Sequence, residues 1–71
     1  MHNGHKNWNH WNVSLWLFHD EGLYRMVQRR LRSSDNLDTI TRRILADLPN
    51  ATPDGAPYKY TSVRAALRGV R

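Results

Sequence analysis

The chain has 71 residues, eleven Lys and Arg against six Asp and Glu, a net charge of +5 and no cysteine. One domain is all this length supports, and disulfides, thiolate metal sites and cysteine nucleophiles are excluded; a reducing cytosol fits but is not required. No run of about 18 apolar residues exists to span a membrane, and no basic segment leads into an apolar one, so no signal peptide is expected.

So small a chain buries only ~60% of the surface its unfolded form exposes. Each large apolar side chain therefore counts, at about 1.5–3 kcal/mol when buried. Residues 1–7, MHNGHKN, lack apolar periodicity and read as a flexible lead-in to a single globular domain over residues 8–71. The next stretch, HWNVSLWLFH, is ambiguous. As a strand it puts Trp11, Val13, Leu15 and Leu17 on one face. As a helix it puts Trp8, Trp11, Leu15 and Phe18 in one stripe, with apolar residues elsewhere around it. A helix apolar all round is a central one, so Trp11, Leu15 and Trp16 are expected at the centre of the core.

Residues 20–32, DEGLYRMVQRRLR, read more cleanly. Asp20 can cap a helix and Glu21 suits its first turn. Leu23, Met26, Val27 and Leu31 make one stripe, and Arg25, Arg29 and Arg32 lie on another face. SSDN (33–36) is a turn and capping cluster. Leu37, Ile40, Ile44, Leu45 and Leu48 give the best helical pattern, stopped by Pro49. PNATPDGAP (49–57) is loop, with a Pro-Asp-Gly turn signal. Thr61 can cap a last helix with Val63, Ala66, Leu67 and Val70 facing inward and Arg64, Arg68 and Arg71 outward. The expected fold is mostly α, a compact bundle of three to four helices. An α+β alternative, in which residues 10–18 and 57–61 pair as two strands, stays open.

Little in the chain suggests catalysis or cofactors. His2 and His5 have a spacing that could bring two imidazoles to a metal, but no third ligand accompanies them. His10 and His19 bracket the tryptophan segment as polar ends of an element. No serine sits in a nucleophile elbow, and the neighbouring carboxylates of Asp20 and Glu21 do not face each other on a helix. There is no Gly-rich phosphate loop. The chain therefore reads as non-enzymatic, with no metal, cofactor or small-molecule substrate.

Charge is the stronger signal. Nine of the eleven basic residues are arginine, and the pI is about 10.5. Arg25, Arg29, Arg30 and Arg32 form one cluster, Arg42 and Arg43 a second, and Arg64, Arg68 and Arg71 a third. A planar fork of donors suits carboxylate and phosphate, so these arginines are the candidate partner-binding residues. The tryptophans are segregated from them, which favours packing over base stacking. Trp8, beside the polar lead-in, stays open to either role. Tyr58 and Tyr60 flank Lys59 as a weaker aromatic–basic patch.

The stretch NWNHWNVSLWLFHDEGLY (7–24) also resembles a motif in short proteins of phages, plasmids and other mobile elements. The matching residues are Trp8, Trp11, Asn12, Val13, Leu15, Trp16, Asp20, Glu21, Gly22, Leu23 and Tyr24. Asn9 and His10 stand where the motif has Glu-Thr, so any role of that acid is absent. In size and charge the chain is similar to small anti-CRISPR proteins. The resemblance implies a monomeric, cytoplasmic inhibitor of a CRISPR effector in the bacterial host cell. It would block target DNA binding by docking its arginines on an acidic Cas surface, or on guide or target nucleic acid. The alternative is a nucleic-acid-binding phage accessory protein.

Overall fold

Residues 8–69 are described by the structure, a computed structural model. The expected lead-in, with His2 and His5, lies outside the described residues, as do Val70 and Arg71. The chain folds as four helices: α1 (Trp8–His19), α2 (Glu21–Leu31), α3 (Leu37–Asp47) and α4 (Tyr60–Arg68). α1 packs on α2 and α4, and α3 packs on the same two. α1 and α3 are therefore diagonal, as are α2 and α4, and the helices close a ring around one core.

The strand alternative for residues 10–18 is overturned, because that segment is helix throughout. Its proposed partner is not free to pair, since Tyr60 already opens α4. Among the described residues the only bridge is an isolated one between Ala51 and Pro57.

The centre of the core also differs from expectation. α1 buries Asn12, Val13 and Leu17, while Trp11, Leu15 and Trp16 are only half-buried. The reason is volume. Short helices in a ring leave a narrow centre, filled by Val13, Leu17, Val27, Ile40, Ile44, Val63 and Leu67. Indole rings are too large for it and cover its rim, where the ring N–H can also find an acceptor.

The helix ends follow local chemistry. Asp20 caps α2, its Oδ2 accepting from the Leu23 N–H at 3.0 Å. Asn36 caps α3, its Oδ1 accepting from the Thr39 N–H at 2.8 Å. The expected cap at Thr61 is displaced: Thr61 lies inside α4, and Lys59 takes the cap position. The Ser62 hydroxyl does the work there, accepting from the Lys59 N–H at 3.0 Å. That bond satisfies a backbone donor which Thr61, one position earlier, does not reach.

The segment 48–59 joins α3 to α4 without regular structure, yet it is fixed. A turn forms where the Gly55 N–H donates to the Thr52 carbonyl at 2.9 Å. Gly55 has φ +97°, a conformation costly for any side chain. Below the turn, the Thr52 Oγ1 accepts from the Ala56 N–H at 3.0 Å and donates to the Asn12 Oδ1 at 2.5 Å. The Asn12 Nδ2 donates to the Asp54 Oδ2 at 2.8 Å, and the Trp16 Nε1 donates to the same oxygen at 3.0 Å. Asn12 and Trp16, one turn apart on α1, thus hold the loop at the same Asp54 oxygen. Ala56 and Tyr58 follow into the core.

Two outcomes follow from this packing. Leu17→Ala should cost about 2–5 kcal/mol in urea unfolding, and Trp11→Ala less than about 3 kcal/mol, the reverse of a tryptophan-centred core. The hydrogen bonds from Asn12 and then Trp16 hold the Asp54 carboxyl below its usual 3.8, against the smaller effect of burial. Because the folded value is the lower one, the ionised carboxylate stabilises the fold above that usual value. The contribution disappears as pH falls through the folded value. Asp54→Asn should therefore be less stable than wild type near neutrality, with a shallower loss of stability below about pH 4; equal slopes would show that the latch does not titrate.

Candidate functional site

The eight candidate arginines within the described residues fall on two separate surfaces. Arg25, Arg29 and Arg32 lie along the exposed side of α2. Arg64 and Arg68 lie on α4, diagonal to α2, and Arg42 lies on α3, where it reaches Asp38 and the Tyr60 ring of α4. Because α2 and α4 are diagonal and make no contact, the clusters do not merge into one basic face. Arg30 and Arg43 belong to neither. Arg30 reaches across to Asp47 on α3 at 2.8 Å, and Arg43 reaches Asp35 at 2.9 Å.

On α2, Arg25 pairs with Glu21 at 2.6 Å, and both side chains are largely exposed. Pairs of this kind contribute about 0.3–0.5 kcal/mol, so Arg25 can exchange its partner at little cost. Arg29 and Arg32 make no ion pair among the described residues. Tyr24, 42% exposed, stands on the same helix and meets Phe18 edge-on at 6.3 Å. Sequence reasoning had not singled out Tyr24 as a surface group. Its place one turn before Gln28, beside the arginine stripe, was the available signal.

Across the ring, the Tyr60 hydroxyl donates to the Asp38 carboxylate, joining α4 to α3. Arg42 pairs with the same carboxylate at 3.2 Å, and its guanidinium lies 5.7 Å from the Tyr60 ring centroid. The Tyr60 hydrogen bond is the main reason the Asp38 carboxyl sits below its usual 3.8, aided by the Arg42 charge. The same bond pushes the Tyr60 phenol above its usual 10.0. Beside this network opens a cleft of about 850 Å³ between α1 and α4. His10 and Ser14 line one wall, and Thr61, Arg64 and Arg68 the other.

The expected aromatic–basic patch at Tyr58, Lys59 and Tyr60 does not form. Tyr58 is buried, 8% exposed, and burial raises its phenol pKa above 10.0. Residues on either side of a helix start point apart, so Tyr58 enters the core while Tyr60 faces the cleft. Trp8 is exposed at 39% and stands apart from both arginine surfaces in sequence. Among the described residues no group of three or more His, Asp or Glu side chains could hold a metal ion. No described helix is long and apolar enough to cross a membrane.

A protein-family model described as a family of unknown function (DUF7249) matches residues 1–67. The match spans nearly the whole chain, so the chain belongs to this family. No curated protein and no solved structure matches it.

The Asp38–Tyr60 bond has a spectroscopic signature. In Tyr60→Phe the Asp38 carboxyl should titrate at higher pH than in wild type, followed by NMR of its side-chain carbon, because the largest of the effects that lower it is removed. An unmoved titration would mean that the charges of Arg42 and Arg64 set it without the phenol.

Proposed function

We propose that this member of the family is a binding protein without catalysis, which docks on an acidic partner through the arginines of α2. One observation carries the reading: every carboxylate side chain of the chain is engaged inside the fold. Asp20 caps α2, Glu21 holds Arg25, and Asp35 holds Arg43. Asp38 binds Tyr60 and Arg42, Asp47 binds Arg30, and Asp54 binds Asn12 and Trp16. Arg29 and Arg32 stand exposed, one turn apart, with no acid of their own among the described residues. They present forked donors that suit a carboxylate surface. Arginine and tyrosine are enriched at interface hot spots, and Tyr24 lies on the same helix.

The resemblance of residues 7–24 to small mobile-element proteins supports a particular partner. On that reading the acidic surface belongs to a CRISPR effector complex, and occupying it blocks target DNA binding. The protein then acts as a monomer in the cytoplasm of a bacterial host cell, with no cofactor and no small-molecule substrate. Apart from Tyr24, the motif supplies the partner class and not the contacts. Asn12, Trp16 and Asp20 within it are occupied in holding the fold.

Arg29→Glu combined with Arg32→Glu should cost about 1–2 kcal/mol, because both cations sit at the C-terminal end of α2, and the variant should remain folded by circular dichroism. The same variant should lose retention on immobilised effector complexes at least tenfold, mostly through slower, salt-sensitive association. Unchanged retention would remove α2 from the interface. Failure of the wild-type protein to bind any type I or type II complex would remove this partner.

A further inference from the structure

A second basic surface lies on the far side of the ring, and its chemistry differs from that of α2. Arg64 and Arg68 are one helical turn apart on α4, with Cβ atoms ~5–6 Å from each other. Neither has an ion pair among the described residues, and both line the cleft between α1 and α4. The cleft follows α4 from Tyr60 to Gly69, so it is elongated rather than round. Hydroxyls from Ser14 and Thr61 and the imidazole of His10 face the same space. One carboxylate, Asp38, also lines it, but that carboxylate already accepts from Tyr60 and Arg42. The Tyr60 ring, tied at its hydroxyl and overlaid by Arg42, gives the cleft an aromatic surface ordered in advance.

We propose that the α1/α4 cleft binds a single strand of nucleic acid, with Arg64 and Arg68 on successive phosphates and a base against Tyr60. The proposal shares one premise with the α2 reading, that arginines without an internal acid are contact residues, but it concerns a different face. Charge complementarity selects a polyanion. The aromatic wall selects among polyanions, since single-strand sites combine a basic groove with rings on which bases stack. An acidic peptide would use the arginines and leave the Tyr60 ring idle. A duplex keeps its bases stacked on one another and does the same. The ring order of the helices places this cleft away from α2, so a strand held here leaves Arg25, Arg29 and Arg32 accessible.

The test is fluorescence anisotropy of a labelled single-stranded oligonucleotide of about ten nucleotides. The full-length protein is titrated with it across a salt series. Two phosphate contacts at ~0.7 each predict a log–log salt slope of about −1.4. Arg68→Gln should bring the slope to about −0.7, and Arg64→Gln with Arg68→Gln should weaken binding at least tenfold. Circular dichroism and melting checks that these variants fold. Arg29→Glu with Arg32→Glu should change oligonucleotide affinity less than twofold, so the two surfaces are read separately. No binding by the wild-type protein at low salt overturns the proposal. So does equal binding of a duplex of the same length, equal loss in the α2 variant, or full affinity in the folded α4 double variant. Equal loss in the α2 variant would move the strand to α2; the other results leave docking through α2 untouched.

Discussion

Asn12 holds this fold together at the point where the chain has least structure. The segment between α3 and α4 must cross the end of the ring and deliver α4 in register. Ordering it costs about 1–2 kcal/mol per residue in backbone entropy alone. A single buried amide offsets part of that cost, because both ends of its side chain are engaged. Its oxygen accepts from Thr52 and its nitrogen donates to Asp54, and Thr52 in turn accepts from the Ala56 backbone. Trp16 adds a second donor to the same Asp54 oxygen. Remove Asn12 and the buried Thr52 hydroxyl loses its acceptor while Asp54 is left with Trp16 alone, and a buried donor without a partner costs more than the bond contributes when made. The setting of Ala56 and Tyr58 in the core, and so the start of α4 at Tyr60, depends on that arrangement.

The same economy of polar groups shapes the surface. With six acids and eleven bases, the fold uses each carboxylate to tie one element to another or to close a helix turn. Asp47 ties α3 to α2 through Arg30, and Asp38 ties α3 to α4 through Tyr60. No described buried side-chain nitrogen or oxygen is left without a partner. What remains unneutralised is therefore positive, and the ring geometry divides it between α2 and α4. A basic protein need not have a basic face. This one has two, separated by the width of the bundle, and they differ in what accompanies the charge: a tyrosine on an open helix in one, a walled cleft in the other.

Much of this was legible in the sequence where the information is local. Asp20 and Asn36 sit at helix starts, and Leu23, Met26, Val27 and Leu31 repeat at helical spacing, so α2 and α3 could be drawn with their ends. The Pro-Asp-Gly turn was visible too. Its partners were not, because Asn12 lies forty-two residues from Asp54 and no pattern in either segment names the other. The burial order in α1 was misread for a related reason. A helix apolar all round reads as the central one, and that pattern places Trp11, Leu15 and Trp16 at the centre. The space available at the centre is set by four short helices together, and it admits Val13 and Leu17 instead. The arginines were legible as a basic surplus but not in their grouping, since sequence spacing cannot say that α2 and α4 are diagonal.

The tryptophan-rich stretch then acquires a different meaning. Asn12 and Trp16 within it close a loop, so the stretch shapes the scaffold. Asn12 and Trp16 are fixed by what they hold, and Leu17 and Val13 by the space they fill. Arg29, Arg32, Arg64 and Arg68 make no ion pair among the described residues, and Arg64 acts on Asp38 and Tyr60 through its charge alone. Substituting any of them alters no packing in the core, whereas their charge sets the field that an approaching partner meets. In so small a domain, separating the two roles is itself a constraint. The side chains that fill the core point inward from all four helices and the loop, whereas the arginines without an ion pair among the described residues lie on α2 and α4 and at their ends, so charge and core occupy different positions on the same helices.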